Sequence, residues 1–462
     1  MPRPSTPKGT RDFSPAQMRK RDYLFGVLRE QFALFGFAPI ETPAMENLST
    51  LTGKYGEEGD QLLFKVLNNG DFLAKANAAA LDARDSKAAV GSLSKRGLRY
   101  DLTVPFARYV VQHQNDIAFP FKRYAIQPVW RADRPQKGRY QEFYQCDADV
   151  VGTDSPLCEA ELVQLLDTVF AALGLRVIVR LNHRGVLQGL AEVSGVGDEH
   201  FVTMVTAIDK LDKIGEDRVI TEMTSRGVGG DDAQRAVSLL HEPSLDKWAT
   251  LLQNSAVGKE AIEDLRRVLS LTGSPSNTVT FSPTLARGLS YYTGCIYEVE
   301  VDTGAPGQEG IKMGSIAAGG RYANLTEAFG GNNLSGVGIS FGAERIYDVL
   351  EELDAWPTAV QAGRQVLLAA FDGESLAWAF AKTGELRAAG IAADCYPDAG
   401  KPKKPLRYAD QAGIPYVALV GDRERESGQL ALKHLASGEQ ESLNIEEIVA
   451  KLSGVTDAQR AR

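Results

Sequence analysis

Apolar residues return at three- and four-residue steps from Leu24 through Val27, Leu28 and Phe32 to Phe35, the spacing of one buried helix face. Ser14-Pro15-Ala16-Gln17 supplies a start for that helix: a capping serine, proline in the first turn and glutamine three residues on. Gly36 ends it, and FAPIETP follows as a short strand closing on Pro43. The pattern changes between Tyr124 and Gly152. Ala125, Ile126, Val129 and Trp130 lead into a polar stretch, and Phe143, Tyr144, Val150 and Val151 lead out of it, with Pro135 and Gly138 between. Two antiparallel strands joined by the loop Arg131–Arg139 are predicted.

Between these two regions the signal is weaker. Phe64–Leu67 reads as strand with a turn at Asn68-Asn69-Gly70-Asp71, and Ala74–Ala89 as helical or mobile. LRYDLTVPFARYVVQ sets Asp101 and Thr103 at a strand end, just before a helix opening near Pro105. Cys158–Leu173 is an amphipathic helix burying Leu162, Leu165, Leu166, Val169 and Phe170, and Val177–Leu181 is a strand. From about Asn182 to Ser270 the chain is helix-rich and laced with charge, which reads as a helical insertion. The sheet resumes at Val279–Phe281 and in LARGLSYYTGCIYEVEV, where Tyr297, Val299 and Val301 alternate and are expected to face outward. Gly319-Gly320 in AAGGRYANL permit a close backbone approach. GVGISFGAERIYDVLEEL is a glycine-bearing strand running into a helix near Ala343, with Arg345 in its first turn, where the helix dipole favours an anion. After the linker LDAWPTAVQAGRQ, strand–helix alternation from Val366 onward predicts a small α/β domain with a mostly parallel sheet.

A chain of 462 residues, 44% apolar and 24% charged, has room for two or three ordinary globular domains. It has no apolar run of about 18 residues to span a membrane, and its start lacks the apolar core of a secretory signal. Cys146, Cys158, Cys295 and Cys395 lie far apart, and with five scattered histidines they form no metal spacing; buried thiols in a reducing cytosol are expected. A net charge of −9 argues against sequence-blind coating of nucleic acid, while local basic patches can still hold one.

The candidate chemistry gathers around the predicted hairpin. Arg131, Arg134, Lys137 and Arg139 face one acid, Asp133, in its loop. Either a solvated loop or a polyanion grip would carry such charges, since guanidinium forks match phosphate oxygens in pairs. On the far strand Gln145, Asp147 and Asp149 alternate and share one face, an acceptor floor suited to an amine. Together they outline a site for a zwitterion and a nucleotide. Asp101 and Thr103 are either helix caps or further ligands. The cluster Lys401, Lys403, Lys404 and Arg407 is either a solvated loop or a contact.

Several of these segments resemble one family. FAPIETP after its helix resembles the dimer-forming first motif of class II aminoacyl-tRNA synthetases. WRADRPQKGRYQEFYQCDADVVG is similar to their second motif and GVGISFGAERI to their third. LARGLSYYTG and AAGGRYANL resemble the two signature motifs of the histidyl-tRNA synthetase family, and the resemblance extends from PKGTRDFSP to the C-terminal domain. It implies a mixed α/β (α+β) fold, with a six- or seven-stranded antiparallel catalytic sheet flanked by helices. The implied catalytic domain spans 1–181 and 273–355, with a helical insertion at 182–272 and a C-terminal α/β anticodon-binding domain at 364–462. A cytoplasmic homodimer is implied, which joins histidine and ATP into histidyl-adenylate and pyrophosphate, then passes the histidyl group to tRNA(His).

On that resemblance Asp101, Thr103 and Gln145 would hold the α-ammonium group, and Asp149 would read the imidazole between Tyr291 and Tyr292. Arg131 would bridge the histidine carboxylate and the α-phosphate, with Arg287 across the same phosphate; these two are the expected catalytic residues. Phe143 would stack under adenine, Arg139 and Arg345 would take the outer phosphates, and Arg134 and Gln136 would meet the tRNA acceptor end. Mg²⁺ is expected with ATP, bound mainly through phosphates, and no metal site is expected on the protein. Two departures stand out: aspartate at 101 and 149, where many relatives have glutamate, and serine at 290, where RGLDYYTG is commoner. The DLTVP and FYQCD wording resembles the eukaryote-like branch, so a repacked site is expected. A non-catalytic paralogue acting as a regulatory subunit in histidine biosynthesis is the alternative. Such chains typically lack the C-terminal domain and erode the arginine motifs, and both persist here. A threonyl enzyme would need Cys/His zinc ligands this chain does not offer.

Overall fold

The computed structural model describes residues 3–54, 56–287, 292–323, 326–331, 334–357, 360 and 363–460, without the side chains of 56–58, 328 and 454–460. The chain divides into two compact units, Met1–Asp12 with Leu24–Leu353 and Phe13–Tyr23 with Asp354–Arg462.

The first helix, α1 (Pro15–Leu34), starts as its sequence predicts. Ser14 N donates to Gln17 Oε1 at 2.8 Å and Gln17 N donates to Ser14 Oγ at 3.3 Å, the reciprocal pair of a capping box. The first unit is built on an eight-stranded sheet. Its strands are β1 (Ala38–Pro39), β2 (Phe121–Trp130), β3 (Glu142–Val151), β4 (Val177–His183), β5 (Thr278–Phe281), β6 (Tyr292–Val301), β7 (Ala317–Tyr322) and β8 (Gly336–Gly342). The order across the sheet is β1-β2-β3-β8-β7-β6-β4-β5. All pairings among the six inner strands are antiparallel, whereas β1 joins β2 and β5 joins β4 in parallel. The expected six- or seven-stranded antiparallel sheet is therefore the inner part of a wider, mixed one.

One face of this sheet is closed by helices. Phe341 on β8 lies between Phe32 of α1 and Phe170 of α3 (Leu157–Ala172), with ring centroids 5.7 and 5.9 Å away. Tyr297 and Val299 belong to this covered face and are fully buried, and Val301 is nearly so. The outward assignment for those three is thus corrected: the alternation was right, but the covered face is theirs and Glu298 turns to the open one. Between β4 and β5 the chain is helical, from α4 (Arg184–Ser194) to α5 (Ala256–Thr272). These two cross closely: a Cβ on Gly189 would come within 3.1 Å of Gly258 Cα, so glycine sets the approach. The stretch 74–89 forms parts of two short helices, capped by Asn77 and Asp85 through bonds of 3.2 and 3.0 Å.

In the second unit five strands, β9 (Val366–Ala370), β10 (Ala393–Cys395), β11 (Tyr416–Val420), β12 (Leu430–His434) and β13 (Gln440–Leu443), run in the order β10-β9-β11-β12-β13. Only β9 pairs in parallel, with β10 and β11; β11, β12 and β13 are antiparallel. The mostly parallel sheet expected here is half antiparallel. β12 and β13 are too close in sequence for a crossover and turn directly on Gly438, whose φ is +75°. Lys401, Lys403, Lys404 and Arg407 are exposed.

Candidate active site

The site grows from the register of the sheet. Arg123 on β2 is opposite Asp149 on β3, which is opposite Gly338 on β8 and then Gly320 on β7. Two residues along, Asp147, Ser340, Ala318 and Glu298 form a second row. Residues two apart on a strand share a face, so both rows floor the same side, opposite the one that α1 and α3 cover. Here lies a cavity of about 390 Å³.

Asp101, Thr103, Arg131, Arg139, Phe143, Gln145, Asp149, Arg287, Tyr292 and Arg345 all line it. Tyr291 and Ser290 lie outside the described residues. Arg134 and Gln136 do not line the cavity; they are exposed on the loop between β2 and β3, whose tip closes through Gln136 and Arg139 backbone bonds of 3.1 and 2.9 Å.

The cavity has two chemically distinct regions. One is acidic. Asp149, 3% exposed, is ion-paired with the fully buried Arg123 at 2.6 Å and accepts from the Tyr322 hydroxyl at 2.9 Å. Burial raises its carboxyl above the ordinary range, against the pull of Arg123 and the Tyr322 bond. Asp147 is pushed up to about 7, chiefly by burial, with Arg123 opposing and the Asp149 charge adding. Asp101 Oδ1 accepts from Val104 N at 3.1 Å, so it caps helix α2 (Thr103–Gln112) and borders the cavity at once. The other region is cationic. Arg131 is held by its Nε–H to Tyr100 O at 3.0 Å, with its guanidinium 4.2 Å from the Tyr100 ring and 5.2 Å from that of Phe143. Arg345, at the start of α6 (Ala343–Glu352), donates to Ser315 O at 2.6 Å and Gly138 O at 3.2 Å. Burial lowers its pKa, and the neighbouring Arg139, Arg131 and Arg287 push the same way while Glu298 opposes them. Arg287 sits 3.5 Å from Glu298. Four guanidinium groups repelling one another along one cavity are stabilised by a polyanion.

Residues 71–346 match the family model described as Histidyl-tRNA synthetase, and residues 365–454 the one described as Anticodon binding domain. A histidine–tRNA ligase of Bacteroides fragilis is 48% identical over 458 residues, covering 98% of this chain and 99% of its own. The chain belongs to the histidyl-tRNA synthetase family. A second relative of the same description, from Cytophaga hutchinsonii, is 49% identical over 98% of this chain and all of its own. Among solved structures, a histidyl-tRNA synthetase from a Nostoc species superposes with a TM-score of 0.80 at 28% identity, covering 97% of this chain and 98% of that one. These relatives are bacterial, and they give no support to the eukaryote-like placement expected from DLTVP and FYQCD. No helix among the described residues is long and apolar enough to cross a membrane.

Sequence reading missed four contributors: Arg123, Tyr322, Ser340 and Glu298. Arg123 and Tyr322 hold Asp149. Ser340 Oγ accepts from Gln145 Nε2 at 2.9 Å. Only the register of four strands brings them together, although Tyr322 stood within the quoted AAGGRYANL. Gly338 is a further one. A Cβ there would lie 2.0 Å from Asp149 Oδ1. Gly338→Ala is therefore expected to push Asp149 off its partners and raise the KM for histidine roughly 10–100-fold in an exchange assay, with little change in the KM for ATP. An unchanged histidine KM would show that Asp149 can move freely.

The raised pKa of Asp147 has a thermodynamic consequence. The unfolded chain loses this proton near 3.8 and the folded protein near 7, so wild-type stability falls as pH rises through that window and the loss is complete above it. Asp147→Asn removes the penalty. Its unfolding free energy should gain on wild type between pH 5 and pH 8, by on the order of a few kcal/mol, read from denaturation at each pH. A difference that stays flat across that range would refute the shift.

Proposed function

We propose that the chain is an ATP-dependent histidine–tRNA ligase, a reading carried by one observation: an acidic, amide-bearing floor and a row of arginines share a single cavity. Asp101, Thr103 and Gln145 take the α-ammonium group, and Asp149 takes the imidazole between Tyr292 and Tyr291. A pocket that hydrogen-bonds the ring nitrogens rejects apolar isosteres, because its buried polar groups would go unpaired. Arg131 binds the carboxylate and the α-phosphate together, so the carboxylate oxygen is held against phosphorus. That oxygen forms the new P–O bond as the bond to pyrophosphate breaks. Arg287 lies across the α-phosphate and offsets the charge that builds there. Phe143 stacks on adenine, and Arg139 and Arg345 hold the outer phosphates. In the second step a terminal ribose hydroxyl of tRNA(His) attacks the carbonyl carbon and AMP leaves, with Arg134 and Gln136 at the acceptor end.

Magnesium enters with ATP. The ion would be held mainly through phosphate oxygens. The protein acts as a homodimer in the cytoplasm, through the helix and FAPIETP segment, and the C-terminal unit reads the anticodon. The test is histidine-dependent exchange of labelled pyrophosphate into ATP by the purified protein. Exchange that appears with histidine and with no other amino acid supports the ligase; no exchange with any of them leaves the non-catalytic paralogue.

A further inference from the structure

Among the described residues, three buried acceptor atoms on the cavity floor have no hydrogen-bond partner: Gln145 Oε1, Asp147 Oδ1 and Asp149 Oδ2, and only the last of these is ion-paired, with Arg123 at 2.6 Å; Gln145 Oε1 and Asp147 Oδ1 are left over. They stand two residues apart on β3, on the same face, and both residues line the cavity. Ser340, cross-strand from Asp147, decides which atom of the Gln145 amide is left over. Its oxygen accepts from Gln145 Nε2 at 2.9 Å. The amide nitrogen is thus engaged, and the oxygen remains for a ligand.

Charge points the same way. Asp147 and Asp149 share one buried guanidinium, Arg123, and Asp101 adds another acid nearby; Tyr322 gives Asp149 a neutral hydroxyl. Burial keeps a proton on Asp147 near neutral pH when nothing else compensates it. A ligand cation with several N–H donors replaces that proton and meets both free acceptors at once, and an ammonium group has three such donors.

Resting on the reading that the cavity takes histidine, we propose that Asp147 binds the α-ammonium group directly, together with Gln145 Oε1, and that Ser340 is a positioning residue which locks Gln145 in its accepting orientation. Asp101 has one oxygen committed to Val104 N, so the seat is completed from β3.

The experiment measures histidine and ATP kinetics in pyrophosphate exchange, with imidazolepropionate, which lacks the amine, as a competitive inhibitor. Asp147→Asn should raise the KM for histidine about tenfold or more, leave the KM for ATP within about twofold, and leave the Ki of imidazolepropionate unchanged. Ser340→Ala should raise the KM for histidine about threefold or more by freeing the amide to turn, with the same unchanged Ki, and Ser340→Thr should recover part of the loss. A histidine KM within threefold of wild type in Asp147→Asn overturns the proposal. A Ki that rises in step with KM also overturns it, since Asp147 would then act on the ring or on the pocket as a whole. If Asp147→Asn fails to fold, the Ser340→Ala comparison of KM with Ki decides alone. Wild-type protein without histidine-dependent exchange would instead remove the ligase reading, an outcome separate from all of these.

Discussion

Arg287→Ala is expected to slow histidine-dependent ATP–pyrophosphate exchange by about 10²–10³-fold while the KM for histidine stays within a few-fold of wild type. The split follows from where charge develops. Interactions equal in ground and transition state change KM, whereas donors aimed at the reacting phosphorus act on turnover. In the free protein Arg287 is balanced by Glu298 at 3.5 Å, with both side chains 24% exposed. A pair that open to solvent contributes only about 0–1 kcal/mol to stability, so the variant should melt close to wild type. Saturating kinetics on both substrates, with a melting curve beside them, make the test complete. A variant impaired in histidine KM alone would move Arg287 from the transition state to ground-state binding.

The second large effect is on stability. Arg321 on β7 is gripped by Glu159 of α3, its Nη2 2.6 Å from Oε2, and by Thr153 O, Ser155 O and Ser335 Oγ at 2.9, 3.3 and 2.7 Å. Glu159 is 3% exposed. Arg321→Ala strands that carboxylate without a counter-ion, and removing one partner of a buried pair costs roughly 3–5 kcal/mol. Thermal unfolding of the catalytic unit should begin roughly 6–20 °C lower. Its neighbour Tyr322 carries the hydroxyl on Asp149, so histidine affinity should weaken before the unit melts. Arg321→Lys keeps the charge but loses the fork, and should fall between the two. A melting temperature unchanged by the alanine would mean that water replaces the guanidinium without penalty.

Much of the site could be read from local pattern. The loop from Arg131 to Arg139 needed only its strands and its punctuation, and the acceptor floor needed only the alternation of Gln145, Asp147 and Asp149. What escaped depends on register. Nothing near Arg123 marks it as the partner of Asp149, because β2 and β3 must first be aligned residue by residue. Ser340 is one small polar residue in an apolar strand until β8 is laid beside β3. Tyr297 failed for another reason: alternation divides a strand into two faces but does not say which one helices will cover. In the second unit, buried strands look alike whether parallel or antiparallel, and the short connection before Gln440 was the only local cue.

The glycines of the cavity floor bear on redesign. Gly320 would drive a Cβ to 2.7 Å from Cys295 O, while Gly338 meets Asp149. Across the middle of the sheet the bottom of the pocket is bare main chain, already at its lowest possible level. Substitution there can only make the chamber shallower. A larger amino acid cannot be admitted by trimming the floor; any broadened selectivity has to come from the walls, such as Tyr292, or from the rim.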